Sequence, residues 1–140
     1  GRSVEEAVQA WRHHIKPGDY VSVLSFLPRT PALDAAVASL RNRLAEVTGA
    51  ATMLGHGPRY LHSTGQIQKG GPDRVALLLL TAEDPLDVPI PGKPHTFGVL
   101  KRAQALGDYQ ALQDRKRRVI RLHLGASPEQ AATRLLDMMR

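Results

Sequence analysis

The sequence predicts an α/β domain whose mainly parallel sheet lies between two layers of helices, a three-layer αβα sandwich. Segments with apolar residues at helical spacing alternate along the chain with short apolar segments, which is typical of repeated strand–helix units. One short segment, residues 75–80, is apolar throughout, as a strand buried on both faces must be. The chain has 140 residues, 42% of them hydrophobic, which is enough for one domain with its own core.

The N-terminal segment, residues 1–18, is predicted to be a helix or linker ahead of a domain that spans residues 19–140. Apolar side chains recur on one helical face in this segment, and Pro17-Gly18 ends the pattern. Residues 20–27 are apolar apart from two serines, which predicts the first buried strand.

A long amphipathic helix is predicted next. Thr30 can cap its start, Pro31 suits its first position, and Gly49 suits its end. Residues 50–54 then predict a short second strand. The apolar side chains of the helix recur on one face, and they are Leu33, Val37, Leu40, Leu44 and Val47.

The middle of the chain predicts a central strand over residues 74–81. Four prolines predict an irregular surface connection over residues 83–94. Two helices are expected after it, over residues 97–106 and 109–114, with Gly107 separating them.

The C-terminal part predicts a fourth strand over residues 119–124 and a last helix. A capping-box pattern over residues 127–130 marks the start of that helix. Three of its side chains are predicted to face the core: Ala131, Leu135 and Met138.

Composition narrows the classes of partner. The net charge of +6 suits either nucleic acid or phosphorylated sugars. Aromatic residues make up only 4% of the chain, and the dense basic cluster at residues 115–118 also suits a helix end. We therefore expect no nucleic-acid partner. The apolar run at residues 75–80 is too short to span a membrane, so we expect no membrane partner, and the absence of cysteine favours a cytoplasmic protein.

Residues 57–72 hold the densest group of chemically active side chains. Four glycines there allow sharp bends or close approach to a ligand. A capping hydroxyl would leave free N–H groups for an anion, and a histidine suits proton transfer near neutral pH. From the residues alone, a turn with a structural histidine is the alternative to a ligand site. The candidate residues are His62, Ser63, Thr64, Gln66 and Lys69.

Several motifs in order resemble one protein family. They are Gly-Pro-Arg-Tyr-Leu-His-Ser-Thr-Gly-Gln from residue 57, Lys-Gly-Gly-Pro from 69, Pro-Ile-Pro-Gly from 89, His-Thr-Phe-Gly-Val-Leu-Lys from 95 and Ala-Gln-Ala-Leu-Gly-Asp from 103. Across about residues 19–125 the chain resembles the C-terminal glucose-6-phosphate isomerase part of bifunctional transaldolase/glucose-6-phosphate isomerases. The resemblance implies a sugar isomerase (SIS) domain with a flavodoxin-like fold.

The resemblance also implies a reaction, the interconversion of glucose 6-phosphate and fructose 6-phosphate. Such an isomerase opens the sugar ring and moves a proton between C1 and C2. His62 matches the family's ring-opening histidine. Glu46 is the candidate carboxylate base, although only Glu46 and Gly49 remain of the family's Glu-Ser-X-Gly-Lys pattern. Glu46 has an alternative role as a polar residue at a helix end. The predicted substrate-binding residues have an alternative role in helix capping or as solvated side chains, and they are Ser63, Thr64, Gln66 and Lys69.

Parts of the family's site are absent from the sequence. The lysine-bearing Asp-Gln-Pro-X-Val-Glu-X-X-Lys segment does not occur, and neither does the hydroxyl-rich phosphate loop of the first sugar isomerase domain. We expect the partners to be a sugar phosphate, the remaining isomerase and transaldolase domains of a parent chain, and a second copy in a homodimer. We expect no cofactor. We also expect no metal, since His13 and His14 are adjacent and point apart on a helix. A sugar-phosphate-binding regulatory module without catalysis is the alternative function.

Overall fold

The computed structural model describes residues 4–56, 75–83, 91–93, 97–114 and 118–139. The helices are α1 Val4–His13, α2 Pro31–Thr48, α3 Phe97–Asp114 and α4 Pro128–Met138. The strands are β1 Tyr20–Phe26, β2 Ala51–His56, β3 Val75–Thr81 and β4 Arg118–His123. All neighbouring strands are parallel, in the order β2-β1-β3-β4. None of the helices in these ranges is long and apolar enough to cross a membrane.

Helices cover both faces of the sheet, which confirms the predicted three-layer αβα sandwich. The α2 face, named here for its longest helix, also carries α1 and α4, and Leu78 and Leu80 of β3 point into its core. The α3 face carries α3, and Leu77 and Leu79 point into its core. This alternation along β3 is the expected two-residue period of a strand, here with apolar side chains on both faces.

The ends of α2 follow the signals in the sequence. The Thr30 side chain accepts a hydrogen bond from the Leu33 N–H at 3.1 Å, and Pro31 occupies the first helical position. At the other end Gly49 adopts a left-handed φ of 68°, and its N–H donates to the Ala45 carbonyl. Glycine tolerates this backbone conformation better than any other residue, so the helix stops there.

The prediction that Gly107 separates two helices is wrong, because α3 is one helix that continues through it. A glycine inside a helix costs about 1 kcal/mol relative to alanine. Ala105 and Tyr109, on either side of it, both pack on the α3 face of the sheet, and Ala105 is buried. Packing on both sides of the glycine therefore outweighs its low helix propensity.

The start and the inward face of α4 differ in detail from the prediction. Ser127 occupies the N-cap position, but its side chain makes no capping hydrogen bond, so no capping box forms. Pro128 at the first helical position fixes the start of the helix instead. The buried side chains at and just beyond the helix are Pro128, Ala132, Leu135 and Met139, whereas Ala131 and Met138 are only half-buried.

A buried ion pair joins the amino ends of β1 and β4, which are not neighbours in the sheet. Arg118 Nη1 lies 2.5 Å from Asp19 Oδ2 and also donates to the His14 carbonyl at 2.7 Å. The Lys16 N–H donates to the same Asp19 oxygen at 2.6 Å. The Asp19 side chain is only 7% exposed. The Arg118 guanidinium holds the pKa of this carboxyl below its usual value.

We expect Asp19→Asn to lower the free energy of unfolding by about 1–2 kcal/mol, because it weakens hydrogen bonds to a charged group. The native pKa of Asp19 is depressed, so its stabilisation is complete above the unfolded value of about 3.9 and is lost as pH falls through the folded pKa. Urea unfolding between pH 7 and pH 3 measures both effects, and the variant should lose stability less steeply in acid.

Asp34→Asn is the matched control, since Asp34 forms an exposed ion pair with Arg29. Exposed pairs contribute little to stability, so its effect should be clearly the smaller. Equal effects of the two substitutions would show that the pair between Asp19 and Arg118 does not stabilise the sheet.

Candidate functional site

The carboxyl ends of the four strands meet at one edge of the sheet, the carboxyl edge. The strands end there at Phe26, His56, Thr81 and His123. From β1 the chain passes through α2 to β2 on one side, whereas β3 and β4 lie on the other side. The order therefore reverses between β1 and β3. In open α/β sheets, ligands bind beyond the strand ends at such a reversal.

The N-terminus of α2 brings an ion pair to this edge. Arg29 Nε lies 3.0 Å from Asp34 Oδ1, and Arg29 Nη2 lies 3.3 Å from Oδ2, so the guanidinium contacts both carboxylate oxygens. This hydrogen bonding lowers the pKa of Asp34. Both side chains remain exposed, at 53% and 41%. The edge thus carries a charged pair that solvent and a ligand can reach.

His56 ends β2 beside that ion pair. It is paired in register with Ser25 of β1, and its Nδ1 is buried with no hydrogen-bond partner among the residues that the structure describes. Burial lowers the pKa of the imidazole, and the positive charge of Arg29 lowers it further, against an opposing effect of Asp34. These effects favour the neutral form of the ring. A buried polar atom without a partner is rare in native proteins and indicates a strained or functional position.

A second imidazole lies at the same edge, on the α3 face. His123 Nδ1 is 2.9 Å from Thr81 Oγ1, which fixes the ring at the end of β3. The connections that follow β3 and β4 are also joined, because the Leu124 N–H donates to the Thr81 carbonyl and the Glu83 N–H donates to the Gly125 carbonyl. The His123 side chain is exposed. The carboxyl edge therefore holds one half-buried and one exposed imidazole.

Neither His56 nor His123 was among the residues predicted from the sequence. The predicted second strand stops at Leu54, whereas β2 continues to His56. The available signal is weak: each histidine ends a short segment that mixes apolar and polar residues. Only the pairing of parallel strands shows that both lie at one edge.

The predicted site residues fall in two places. His62, Ser63, Thr64, Gln66 and Lys69 lie outside the described residues. The chain leaves the sheet at the carboxyl edge immediately before them, since β2 ends at His56.

Glu46 is described, and it is exposed near the end of α2. Because α2 starts at the carboxyl edge and leads into the amino end of β2, Glu46 lies toward the opposite, amino edge. The described residues therefore do not bring Glu46 to the carboxyl edge. Among them, no group of histidine, aspartate and glutamate side chains is arranged to hold a metal ion.

The fold and this edge define an α/β protein with a parallel sheet and a ligand-binding geometry at its strand ends. No protein-family model matches the chain, and no curated protein matches it. Among solved structures it is similar to the hypothetical protein TT0462 from Thermus thermophilus, with a TM-score of 0.73 and 20% identity. The match covers 96% of this chain and 36% of that chain. At this identity the likeness shows the fold alone, and this chain spans about a third of the length of that protein.

We expect His56→Leu to keep or raise the free energy of unfolding at pH 7, by up to about 1 kcal/mol, because it removes a buried polar atom without a partner. The depressed pKa of His56 also makes the native protein less stable as pH falls below the unfolded value of about 6.5 toward the folded pKa. Urea unfolding between pH 8 and pH 5 should show a flatter pH dependence for the variant.

His123→Leu is the comparison for this substitution. It removes a ring that is exposed and bonded to Thr81, so we expect a loss of stability instead of a gain. The burial of an unpaired nitrogen would be contradicted if His56→Leu lowered the free energy of unfolding and left its pH dependence the same as that of the native chain.

Proposed function

We propose that this chain is a glucose-6-phosphate isomerase domain of a bifunctional transaldolase/glucose-6-phosphate isomerase that acts in the cytoplasm. One observation carries the proposal. The motif that resembles the family's ring-opening segment starts at residue 57, directly after β2 ends at the carboxyl edge. That edge is where a parallel sheet of this topology binds ligands. The motifs farther along the chain occur in the same order as in the family.

The chemistry proposed for this edge is proton transfer. His62 passes a proton to or from the ring oxygen of the sugar phosphate, a step that general acid–base catalysis accelerates by about 10²–10⁴-fold. Ser63, Thr64 and Gln66 hydrogen-bond sugar hydroxyls, and Lys69 supplies positive charge. The net charge of +6 supports a phosphorylated substrate. Isomerisation through an enediol transfers no net electrons, so it requires no redox cofactor.

The proposal includes partners, because the sequence lacks the family's other lysine segment and phosphate loop. The remaining isomerase domain supplies those groups, and a second copy of the chain completes the site in a homodimer. The 140-residue chain alone then binds a sugar phosphate weakly and turns it over slowly or not at all.

A regulatory module that binds sugar phosphates without catalysis is the second candidate. One structural observation favours it. Asp34, a carboxylate at the carboxyl edge, forms a bidentate ion pair with Arg29, and this makes it unsuited to act as a base. An isomerase needs a free carboxylate near C1 and C2, whereas a sensor does not.

Solvent exchange separates these two functions. Isomerisation through an enediol places solvent deuterium on C2 of glucose 6-phosphate or C1 of fructose 6-phosphate, and binding alone does not. We expect exchange in heavy water when the chain is combined with the remaining isomerase domain, detected by proton NMR of the sugar. His62→Ala should lower the exchange rate by about 10²-fold or more, while sugar-phosphate affinity changes less than about threefold. Binding without exchange in the wild type would favour the regulatory module, and undiminished exchange in His62→Ala would remove His62 from the mechanism.

The position of Glu46 leads to a separate prediction. A base must lie near C1 and C2, and Glu46 is exposed toward the amino edge. We expect Glu46→Gln to leave the exchange rate within about threefold of the wild type, since general-base loss costs about 10²-fold or more. Glu5→Gln, which makes the same charge change at an exposed position of α1, is the control for effects of net charge. A loss of two orders of magnitude confined to Glu46→Gln would assign the base to Glu46.

A further inference from the structure

Two hollows lie beside β4. One, of about 350 Å³, is lined by Arg118, Val119 and Ile120 together with α1. The other, of about 290 Å³, is lined by residues 121–124 together with α4 and the start of α1. Consecutive residues of a strand point to opposite faces of a sheet. A hollow that is lined by consecutive residues of a strand therefore lies along the outer edge of that strand. Together the two hollows follow β4 over its whole length.

No strand covers this outer edge in the described part of the chain, and only α1 lies against its amino end. β4 pairs with β3 on its inner side, and no other described strand pairs with it. The Trp11 indole N–H donates to the Arg118 carbonyl at 3.3 Å, so α1 lies against the amino end of β4. An open strand edge presents backbone N–H and C=O groups to any extended segment that approaches it.

The two faces of β4 differ in chemistry. Ile120 and Leu124 contribute to the core on the α2 face, and Leu122 is buried there. On the α3 face, Arg121 and His123 are exposed, and the Arg121 guanidinium lies 5.8 Å from the centre of the Tyr109 ring. A strand added to this edge would therefore meet apolar side chains on one face and cationic side chains on the other.

Charge decides which segment fits. Among the described residues, the side chains that line the two hollows include Arg118, Arg121 and Arg134 but no carboxylate. Arg118 is already paired with Asp19, whereas Arg121 and Arg134 are exposed. Two copies of the chain joined edge to edge would bring like charges together, and directly opposed like charges destabilise strand pairs. Acidic side chains on the α3 face of an added strand would pair favourably with Arg121, whereas Arg134 belongs to α4 on the α2 face.

We propose that the outer edge of β4 binds an extended segment of a different polypeptide, whose side chains alternate between apolar and acidic. The apolar side chains extend the core on the α2 face, and the acidic ones face Arg121 and His123. Backbone hydrogen bonds to β4 hold the segment as a fifth strand. This proposal is independent of the isomerase function, because it involves the side of the sheet and not its carboxyl edge.

The test uses the 140-residue chain and synthetic peptides of about ten residues, long enough to span a strand. One peptide alternates Val and Glu, and a second alternates Val and Lys. Two further versions of the Val and Glu peptide are N-methylated at alternate residues, one along each edge. Trp11 is the one tryptophan in the sequence and lines the first hollow, so its fluorescence reports binding. We expect the Val and Glu peptide to bind roughly tenfold more tightly than the Val and Lys peptide. N-methylation along the pairing edge should abolish binding.

Charge reversal provides the control. Arg121→Glu and His123→Glu should each shift the preference toward the Val and Lys peptide, and circular dichroism establishes that each variant is folded. Using both variants keeps the test valid if loss of the contact with Tyr109 unfolds Arg121→Glu. Equal affinity for both peptides, no binding of either, or binding that survives N-methylation on each edge would overturn the proposal. So would a dimer of the wild-type chain in ultracentrifugation that pairs through β4.

Discussion

Burial of β3 on both faces is the constraint on which the rest of the structure depends. All of its residues, Val75–Thr81, are buried, and their side chains alternate between two separate cores. A strand without a solvent face requires a neighbour on each side and a helical layer on each face. β1 and β4 provide the neighbours, and α2 and α3 provide much of the two layers. Parallel neighbours in turn need crossover connections, and these bring the helices onto the faces.

The parallel direction separates two kinds of charge between the two edges of the sheet. At the amino edge, Asp19 and Arg118 have largely buried side chains that are paired with each other, so they link β1 and β4. At the carboxyl edge, His56 has a buried nitrogen with no partner in the described part of the chain, and His123 is exposed. Removing either partner of a buried ion pair leaves an uncompensated charge and destabilises a fold, whereas ligands bind at the carboxyl ends of parallel strands. The same topology therefore supplies both stability and a place for chemistry.

Local signals explain what the sequence could predict. Thr30 with Pro31 and the left-handed Gly49 act within one turn of α2, and both ends of that helix were predicted correctly. Gly107 failed as a signal because its cost of about 1 kcal/mol is smaller than the packing of its neighbours on the sheet, which local sequence does not reveal. The capping-box pattern at Ser127 failed for the converse reason, since a matching pattern does not guarantee that the hydrogen bonds form.

The candidate site was less predictable, because strand pairing and helix direction determine it. The two histidines of the carboxyl edge are far apart in the sequence, and only the order of the strands brings their ends to one edge. Glu46 precedes β2 by a few residues, yet the direction of α2 places it toward the opposite edge from His56. Sequence proximity therefore misleads whenever a helix separates two candidates.

The open side of β4 and the carboxyl edge meet at His123, the last residue of β4. A strand added to β4 would run along the side of the sheet, so it would leave the ends of β1 and β3 uncovered. One end of that strand would nevertheless lie beside His123, which Thr81 holds in place. A polypeptide bound along β4 would thereby reach the carboxyl edge without blocking it. The geometry of the sheet thus allows a partner to contribute groups to the candidate site while its main binding energy comes from the side of β4.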